Sequence, residues 1–429
     1  MSTFALRGAG AVADRVVQAL GEVGWEPAEQ PTGTDLVVVV ADAADPVAFE
    51  ELDERRWRAI LDARLRPAVE ACIAAVHDMA ERGSGCIVLI AVESEDGPGA
   101  HVAAADGGLE GLTKALAAEV AAAGIRVNMI RTLAEDADAT AETVRYLARD
   151  GTYTTGQVLR PRPLDVARGS GRLEVSAPPS TQDRLALVTG STQGIGRATA
   201  SRLAAEGARV AINGPDATTV AAVAAADGGI AAPADISAAA EVDRMVAQLE
   251  AAEGPVGLLV ANAAYMSMGP LGEHDATDWW RNLDVNLTGH FNVLRAVMPG
   301  MRRRGGGHIV MIASEFGVTG SPNATGYAAS KAGVAALVTA LAVELAPHGI
   351  TIAAIAPGVT DTAQLEVDAE DAGVSLDAIR ERFAKGIPML RIGRPEEIAA
   401  TVAFLAGPAA TAYSGQLVQP NGGATRARP

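Results

Sequence analysis

The chain has 429 residues, 49% of them hydrophobic and 20% charged, with 52 acidic against 35 basic side chains and a formal net charge of −17. That length exceeds one ordinary core and suits two or three domains, and the apolar fraction argues against disorder. So acidic a surface repels phosphate backbones, so nucleic acid is not an expected partner. No uninterrupted apolar run approaches the roughly 18 residues of a membrane span. The start, MSTFALRGAGAVADR, lacks the basic residues and long apolar stretch of a signal peptide. With only Cys72 and Cys86 in so long a chain, reduced thiols and a cytoplasmic location are expected, and no metal cluster is visible.

In chain order, Asp35 to Ala41 is a continuous apolar run expected to form a buried strand. A helical segment follows over about 53–81, then a strand over Cys86 to Val92. An alanine-rich helix is expected over 107–123 and a third strand over Ile125 to Ile130. Strands alternating with long helices imply parallel β-α-β units with right-handed crossovers. This half shows no metal-ligand spacing, nucleophile–base pair or phosphate loop. Residues 161–183, rich in proline, glycine and arginine without apolar periodicity, form the expected linker between a domain at 1–160 and one at 184–429.

The second domain opens with a strand, Leu185 to Val188, that runs into TGSTQGIG and then a helix. Gly190, Gly194 and Gly196 let backbone approach a pyrophosphate closely, and the helix N-terminus offers free N–H groups and a positive dipole end. Strand before and helix after are the context that separates such a loop from a plain glycine turn. Next come the strand Arg209 to Ile212, the loop Ala234-Asp235-Ile236, and the strand Leu258 to Ala261 ending at Asn262. In an open parallel sheet, the ligand lies at that carboxyl edge. Asn286 sits inside an apolar helical run, where a carboxamide needs a hydrogen-bond partner. After the apolar run His308 to Ala313 come Ser314, then Tyr327, then Lys331. Tyr327 and Lys331 at i, i+4 share a helix face, and an ammonium beside a phenol is expected to lower the phenol's pKa. By itself the pair also fits a surface Tyr and Lys on an ordinary helix.

TGSTQGIG, the ANAA turn at 261–264, DVNL at 284–287, IAS at 312–314, YAASK at 327–331 and PGVTDT at 357–362 occur in one order. Together they resemble the short-chain dehydrogenase/reductase family over essentially all of residues 184–423. The resemblance implies a doubly wound parallel α/β sheet, hydride transfer with NAD(H) or NADP(H), and a catalytic group of Asn286, Ser314, Tyr327 and Lys331. It implies cofactor contacts from Gly190, Gly194, Ile195, Gly196, Asp235, Ile236, Asn262, Tyr327, Lys331, Pro357, Gly358, Val359 and Thr362. Two departures stand out. The family's Asn-Asn-Ala-Gly turn is Ala261-Asn-Ala-Ala264 here. The second strand ends Ile212-Asn-Gly-Pro-Asp216, with neither the usual acidic residue for NAD nor a basic one for NADP; only Asp216, set late, could compensate.

Laid over the second half, the first is a shortened repeat. Residues 108–120 parallel 333–345, 124–128 parallel 349–353, 155–159 parallel 414–418, and Asp62-Ala-Arg-Leu65 parallels Asp284-Val-Asn-Leu287. The chemistry is lost: Val92 stands for Ser314, Val102 for Tyr327, Asp106 for Lys331, Arg64 for Asn286, and Ala11 and Ala13 for Gly194 and Gly196. The first domain is therefore expected to be a truncated, degenerate Rossmann-like or flavodoxin-like domain without catalysis. This layout resembles the high-molecular-weight 3-oxoacyl reductases. Helices expected at 277–304 and 327–346, with counterparts at 53–81 and 101–123, suggest a homodimer with the two domains paired within the chain. Met266, Met268, Tyr265, Phe316 and Val318 are candidates for a pocket mouth, with core packing as the alternative. Arg302 to Arg304 could attract an acyl carrier or simply form a solvated helix end. The expected activity is reduction of a 3-oxoacyl thioester. The alternatives are a ketoreductase or alcohol dehydrogenase of a specialised metabolite or polyol, and a non-catalytic cofactor-binding scaffold.

Overall fold

The computed structural model describes residues 2–44, 54–94, 100–161, 184–270 and 273–425, so the expected linker lies outside the described residues except at residue 161. The chain divides into two compact units. The first comprises the described parts of Met1–Arg162 together with Arg380–Ile392 and Asn421–Pro429. The second comprises the described parts of Pro163–Ile379 with Gly393–Pro420.

The first unit is built on strands β1 (Thr3–Arg7), β2 (Glu26–Ala28), β3 (Leu36–Ala41), β4 (Gly85–Glu93), β5 (Ile125–Leu133) and β6 (Val158–Leu159). Their order is β2-β1-β3-β4-β5-β6, and every pairing is parallel. β3 is buried along its whole length, as its run of valines requires of a strand covered on both faces. Within this unit the late segments are held by specific contacts. The Gly422 N–H donates to the Tyr153 carbonyl at 2.9 Å. The Arg391 guanidinium lies 5.0 Å over the Tyr153 ring, whose hydroxyl donates to the Arg391 carbonyl. Gln157 Nε2 donates to the Thr425 carbonyl at 3.0 Å.

The second unit contains β7 (Leu185–Val188), β8 (Arg209–Ile212), β9 (Ile230–Ala231), β10 (Leu258–Ala261), β11 (Gly307–Ile312), β12 (Ile350–Ile355) and β13 (Leu417–Val418). They form one parallel sheet in the order β13-β12-β11-β10-β7-β8-β9. Strand order reverses between β7 and β10, so the loops leaving those strands open a crevice at the carboxyl edge. Both units are doubly wound Rossmann-like α/β folds, and among the described residues the first has no counterpart of β9.

The repeat extends to side-chain packing. A Cβ on Gly108 would lie 3.0 Å from Leu65 Cδ2, and one on Gly333 would lie 3.0 Å from Leu287 Cδ2. Gly85 is pressed against Met79 as Gly307 is against Met301. In each unit a helix can approach its neighbour only because glycine leaves room at that position.

One expected helix is interrupted. The run over 277–304 consists of the helix Ala276–Leu283, a π-helical turn Asp284–Gly289, and the helix His290–Arg303. A π turn widens the helix by one residue and often marks a functional site; here it carries Asn286. The helix Thr325–Leu345, extended by a 3₁₀ turn to His348, is by length and composition apolar enough to cross a membrane, with a hydropathy of 1.5. It packs against β11, β12 and the helix Ala276–Leu283, and it carries Tyr327 and Lys331.

Candidate active site

The glycine loop follows β7 and starts the helix Gly194–Ala205. A Cβ on Gly196 would fall 2.2 Å from the Gly190 carbonyl oxygen and 2.5 Å from Asn262 Nδ2, and one on Gly190 would fall 2.6 Å from Ala263 Cα. No other residue fits without moving backbone. Asn262, the one asparagine left in its turn, staples this loop: Nδ2 donates to the Thr189 and Gly190 carbonyls at 2.9 and 3.1 Å. Its N–H and that of Ala263 donate to Thr189 Oγ1. A Cβ on Gly194 would meet the methyl of Thr362 at van der Waals distance, so the Pro357–Thr362 segment and the glycine loop border the same space. A bare glycine cradle at a helix N-terminus, with its first N–H groups free of helical partners, fits the diphosphate of a dinucleotide.

Other cofactor-side residues are committed elsewhere. Asp235 Oδ1 accepts from Ser237 N–H and Oγ in a tight turn. Ile236 is buried against Gly289. Asp216 caps the helix Ala217–Asp227, accepting from Thr219 N–H at 2.7 Å and Thr219 Oγ1 at 2.6 Å, and those bonds hold its carboxyl below the usual range. It therefore supplies no obvious answer to NAD against NADP. Asn213, at the tip of β8, is buried and bridges three segments. It accepts from Gly190 N–H and donates to the Ala232 and Ala234 carbonyls. Sequence reading passed over it because its importance lies in neighbours distant along the chain.

The four expected catalytic positions converge. Asn286 is fully buried and spends its carboxamide on Tyr265 and Ser330. Oδ1 accepts from Tyr265 N–H at 2.7 Å, while Nδ2 donates to the Tyr265 carbonyl at 2.8 Å and to Ser330 Oγ at 3.0 Å. It thus locks the loop after β10 onto the helix that carries Tyr327 and Lys331. Ser314 leaves β11 and caps the short helix Glu315–Thr319 by accepting from Phe316 N–H, and its hydroxyl stands near enough to Tyr327 to favour the phenolate. The Phe316 ring meets the Tyr327 ring edge-on at 6.3 Å. Lys331 is buried, donates to the Ile312 carbonyl at 2.8 Å, and lies 5.7 Å from the Tyr327 ring centre.

The electrostatics depart from the expectation that the lysine lowers the phenol's pKa. Burial pushes Tyr327 up to about 12, the Ser314 hydrogen bond pulls it back, and the charge of Glu315 raises it further. Burial also pushes Lys331 down to about 7, because an ammonium loses more solvation here than one carbonyl restores. A cation that is only partly charged near neutral pH acts weakly on its neighbour. His290, one helical turn beyond Asn286, is buried with Nε2 against the Ala263 carbonyl at 3.0 Å, and burial followed by the nearby Lys331 pushes it down to about 3, so it is neutral.

Around the opening, the Tyr265 hydroxyl donates to Asp278 at 3.1 Å with Arg281 4.7 Å over its ring. Trp279 Nε1 donates to Thr325 Oγ1 at 3.0 Å. Met268 is exposed; Tyr265, Met266, Phe316 and Val318 are half-buried.

Comparison with known proteins agrees with this geometry. The short chain dehydrogenase family profile matches residues 20–146 and 184–372. A 3-oxoacyl-[acyl-carrier-protein] reductase of a Synechocystis species is 38% identical over 247 residues, covering 56% of this chain and 96% of that protein. Nodulation protein G of Azospirillum brasilense is 37% identical over 246 residues, covering 56% of this chain and 97% of that protein. Among solved structures, an actinorhodin polyketide ketoreductase variant with NADPH superposes with a TM-score of 0.54 at 35% identity, covering 56% of this chain and 97% of that one. The chain belongs to the short-chain dehydrogenase/reductase family and is an NAD(P)-dependent oxidoreductase of carbonyl or CH–OH groups.

Proposed function

We propose that the second unit reduces the keto group of a 3-oxoacyl thioester, with Tyr327 as proton donor and Ser314, Lys331 and Asn286 in support. The observation that carries this reading is the convergence of Ser314 and Tyr327, brought from two different elements close enough that the Ser314 hydroxyl favours the phenolate, beside a buried Lys331. The nicotinamide, when bound, supplies the hydride. Tyr327 gives its proton to the substrate oxygen, and Ser314 hydrogen-bonds that same oxygen and orients it. Lys331, in the fraction of molecules where it is protonated, favours the phenolate as it forms. Gly190, Gly194, Ile195 and Gly196 would hold the diphosphate, Asp235 and Ile236 the adenine side, and Pro357, Gly358, Val359 and Thr362 the carboxamide side. Asn262 shapes the cradle through the loop it staples. The thioester assignment is supported by 38% identity to a 3-oxoacyl reductase. A second reading, a ketoreductase of a specialised metabolite, is supported by 35% identity to a polyketide ketoreductase. Buried, unpaired Cys72 and Cys86 accord with work in the cytoplasm.

The deciding assay compares 3-oxoacyl thioesters with bicyclic and simple ketones, each with NADH and NADPH. A kcat/KM for thioesters at least about tenfold above the ketones is expected, roughly 1.4 kcal/mol of transition-state discrimination. The reverse ranking transfers the assignment to the ketoreductase reading.

A further inference from the structure

The loop that leaves β10 is held at every second residue. At Tyr265, Asn286 meets both the N–H and the carbonyl of one residue. At Ser267 a second carboxamide, four residues earlier on the same helical run, does the same. Asn282 Oδ1 accepts from the Ser267 N–H at 3.3 Å, and its Nδ2 donates to the Ser267 carbonyl at 3.4 Å. Ser267 is held again through its side chain, whose Oγ lies 2.8 Å from His274 Nε2. At Gly269 the N–H donates to the Asn323 carbonyl at 2.7 Å.

The spacing accounts for this ladder. Four helical residues rise by about 6 Å, and two residues of extended chain span roughly 6.5 Å. Carboxamides at i and i+4 on one helix face therefore meet alternate residues of an extended segment, each offering a C=O and an N–H as a neighbouring strand would. Asn282 is fully buried, and its Nδ2 also donates to the Asp278 carbonyl at 3.1 Å. A buried carboxamide is tolerated because these bonds satisfy it. On its other side it abuts Gly326, the residue before Tyr327. A Cβ on Gly326 would lie 3.0 Å from the Trp279 carbonyl oxygen and 3.2 Å from Asn282 Nδ2. One side chain thus touches both the loop at the opening and the first turn of the helix that carries Tyr327.

We propose that Asn282 is a positioning residue that fixes the loop Tyr265–Gly269 relative to Tyr327 and so sets how well the site discriminates between large and small carbonyl substrates. The proposal rests on Tyr327 being the proton donor. A small ketone needs only the groups at its reacting oxygen. A larger substrate also runs along the opening, where Met266 is half-buried and Met268 exposed. Binding energy from such remote contacts serves the reacting centre only when the contacting loop is held in place beforehand. The glycine cradle has its own staple in Asn262, so cofactor binding does not depend on Asn282.

The test is Asn282→Ala in the full chain, which removes the carboxamide and introduces no clash. kcat/KM is measured for a simple ketone and for whichever of a 3-oxoacyl thioester and a bicyclic ketone the wild type reduces more efficiently, together with the cofactor Kd. The large-to-small ratio of kcat/KM does not depend on the active fraction, so a variant that is merely less stable leaves it unchanged. In Asn282→Ala the ratio is expected to fall roughly fivefold or more, chiefly through a higher KM for the larger substrate, with the cofactor Kd within about twofold of the wild type. An active variant with an unchanged ratio overturns the role of Asn282. If Asn282→Ala does not fold, His274→Leu, at a half-buried position, removes the side-chain hold on Ser267 and is read on the same ratio with the same two outcomes. A wild type that reduces none of these carbonyls overturns the reductase reading itself, a result distinct from a failure confined to Asn282.

Discussion

Arg64 Nη2 lies 2.6 Å from Asp106 Oδ1, with both side chains buried in the first unit. The guanidinium also donates to the Asp42 and Val92 carbonyls. Arg64 precedes Leu65, and Asp106 comes two before Gly108, as Asn286 precedes Leu287 and Lys331 comes two before Gly333. Where the second unit keeps a buried ammonium and a carboxamide, the first holds an ion pair that uses up its own charges. Burial still pushes the Asp106 carboxyl up, outweighing the pull of Arg64, and its Oδ2 has no hydrogen-bond partner among the described residues. Removing one partner of such a pair strands a buried charge, at a cost of about 3–5 kcal/mol. Arg64→Met is therefore expected to lower the denaturation midpoint markedly, while Arg64→Met with Asp106→Leu recovers most of it. Equilibrium denaturation of both variants checks this, and equal loss in the two would show that the pair is not the cause.

A corollary concerns stoichiometry. With Ala11 and Ala13 in place of the loop glycines and no counterpart of β9 among the described residues, the first unit is expected to bind no dinucleotide. Calorimetric titration with NADH and NADPH should give one site per chain. Gly196→Ala should weaken that site by about a hundredfold or remove it, since its Cβ would fall on the Gly190 carbonyl oxygen.

Tyr327→Phe removes the proton donor and little volume. Turnover is expected to fall by roughly 10²–10⁴, with the cofactor Kd within about threefold of the wild type. Stopped-flow turnover and fluorescence titration of the cofactor measure the two effects separately.

Lys331 gives stability a pH dependence of definite sign. Its folded-state pKa is depressed from 10.5 to about 7 by burial. The group therefore contributes stability that is present above 10.5 and lost as pH falls through about 7. Glu315 works in the other sense: raised from 4.5 to about 7, its contribution is present below 4.5 and lost as pH rises through about 7. In the cofactor-free protein, Lys331→Met should flatten the decline in urea midpoint between pH 10 and 7. A slope equal to that of the wild type would place the lysine in better solvated surroundings.

Asp216 bears on cofactor choice. Its carboxylate is held by Thr219. Asp216→Ala is expected to loosen the start of the helix Ala217–Asp227 without changing the ratio of kcat/KM for NADH to that for NADPH. A shift of that ratio toward NADPH would show that the carboxylate leaves its cap to meet the ribose.

Much of this molecule is local and therefore legible in its sequence. The glycine loop, the buried strands and the Tyr327–Lys331 spacing depend on residues a few positions apart, and the alternation of strand and helix follows from hydrophobic period alone. The repeat, too, could be read by laying one half over the other. The long helix over 277–304 could not be read as broken, because its π turn accompanies bonds from Asn286 to Tyr265 and Ser330. Nor could the grouping of Arg380–Ile392 and Asn421–Pro429 with the first unit, which involves Tyr153 and Gln157, more than 200 residues away. The phenol's pKa went the opposite way from the expectation because i, i+4 spacing brings the ammonium near but says nothing about desolvation. The sequence by itself determined the family and the doubly wound sheets, and it named the four side chains proposed for the site. Only the tertiary structure decided how strongly Tyr327 holds its proton, because burial and the nearby charge of Glu315 are set by packing among Glu315, Val359 and the helix of Lys331.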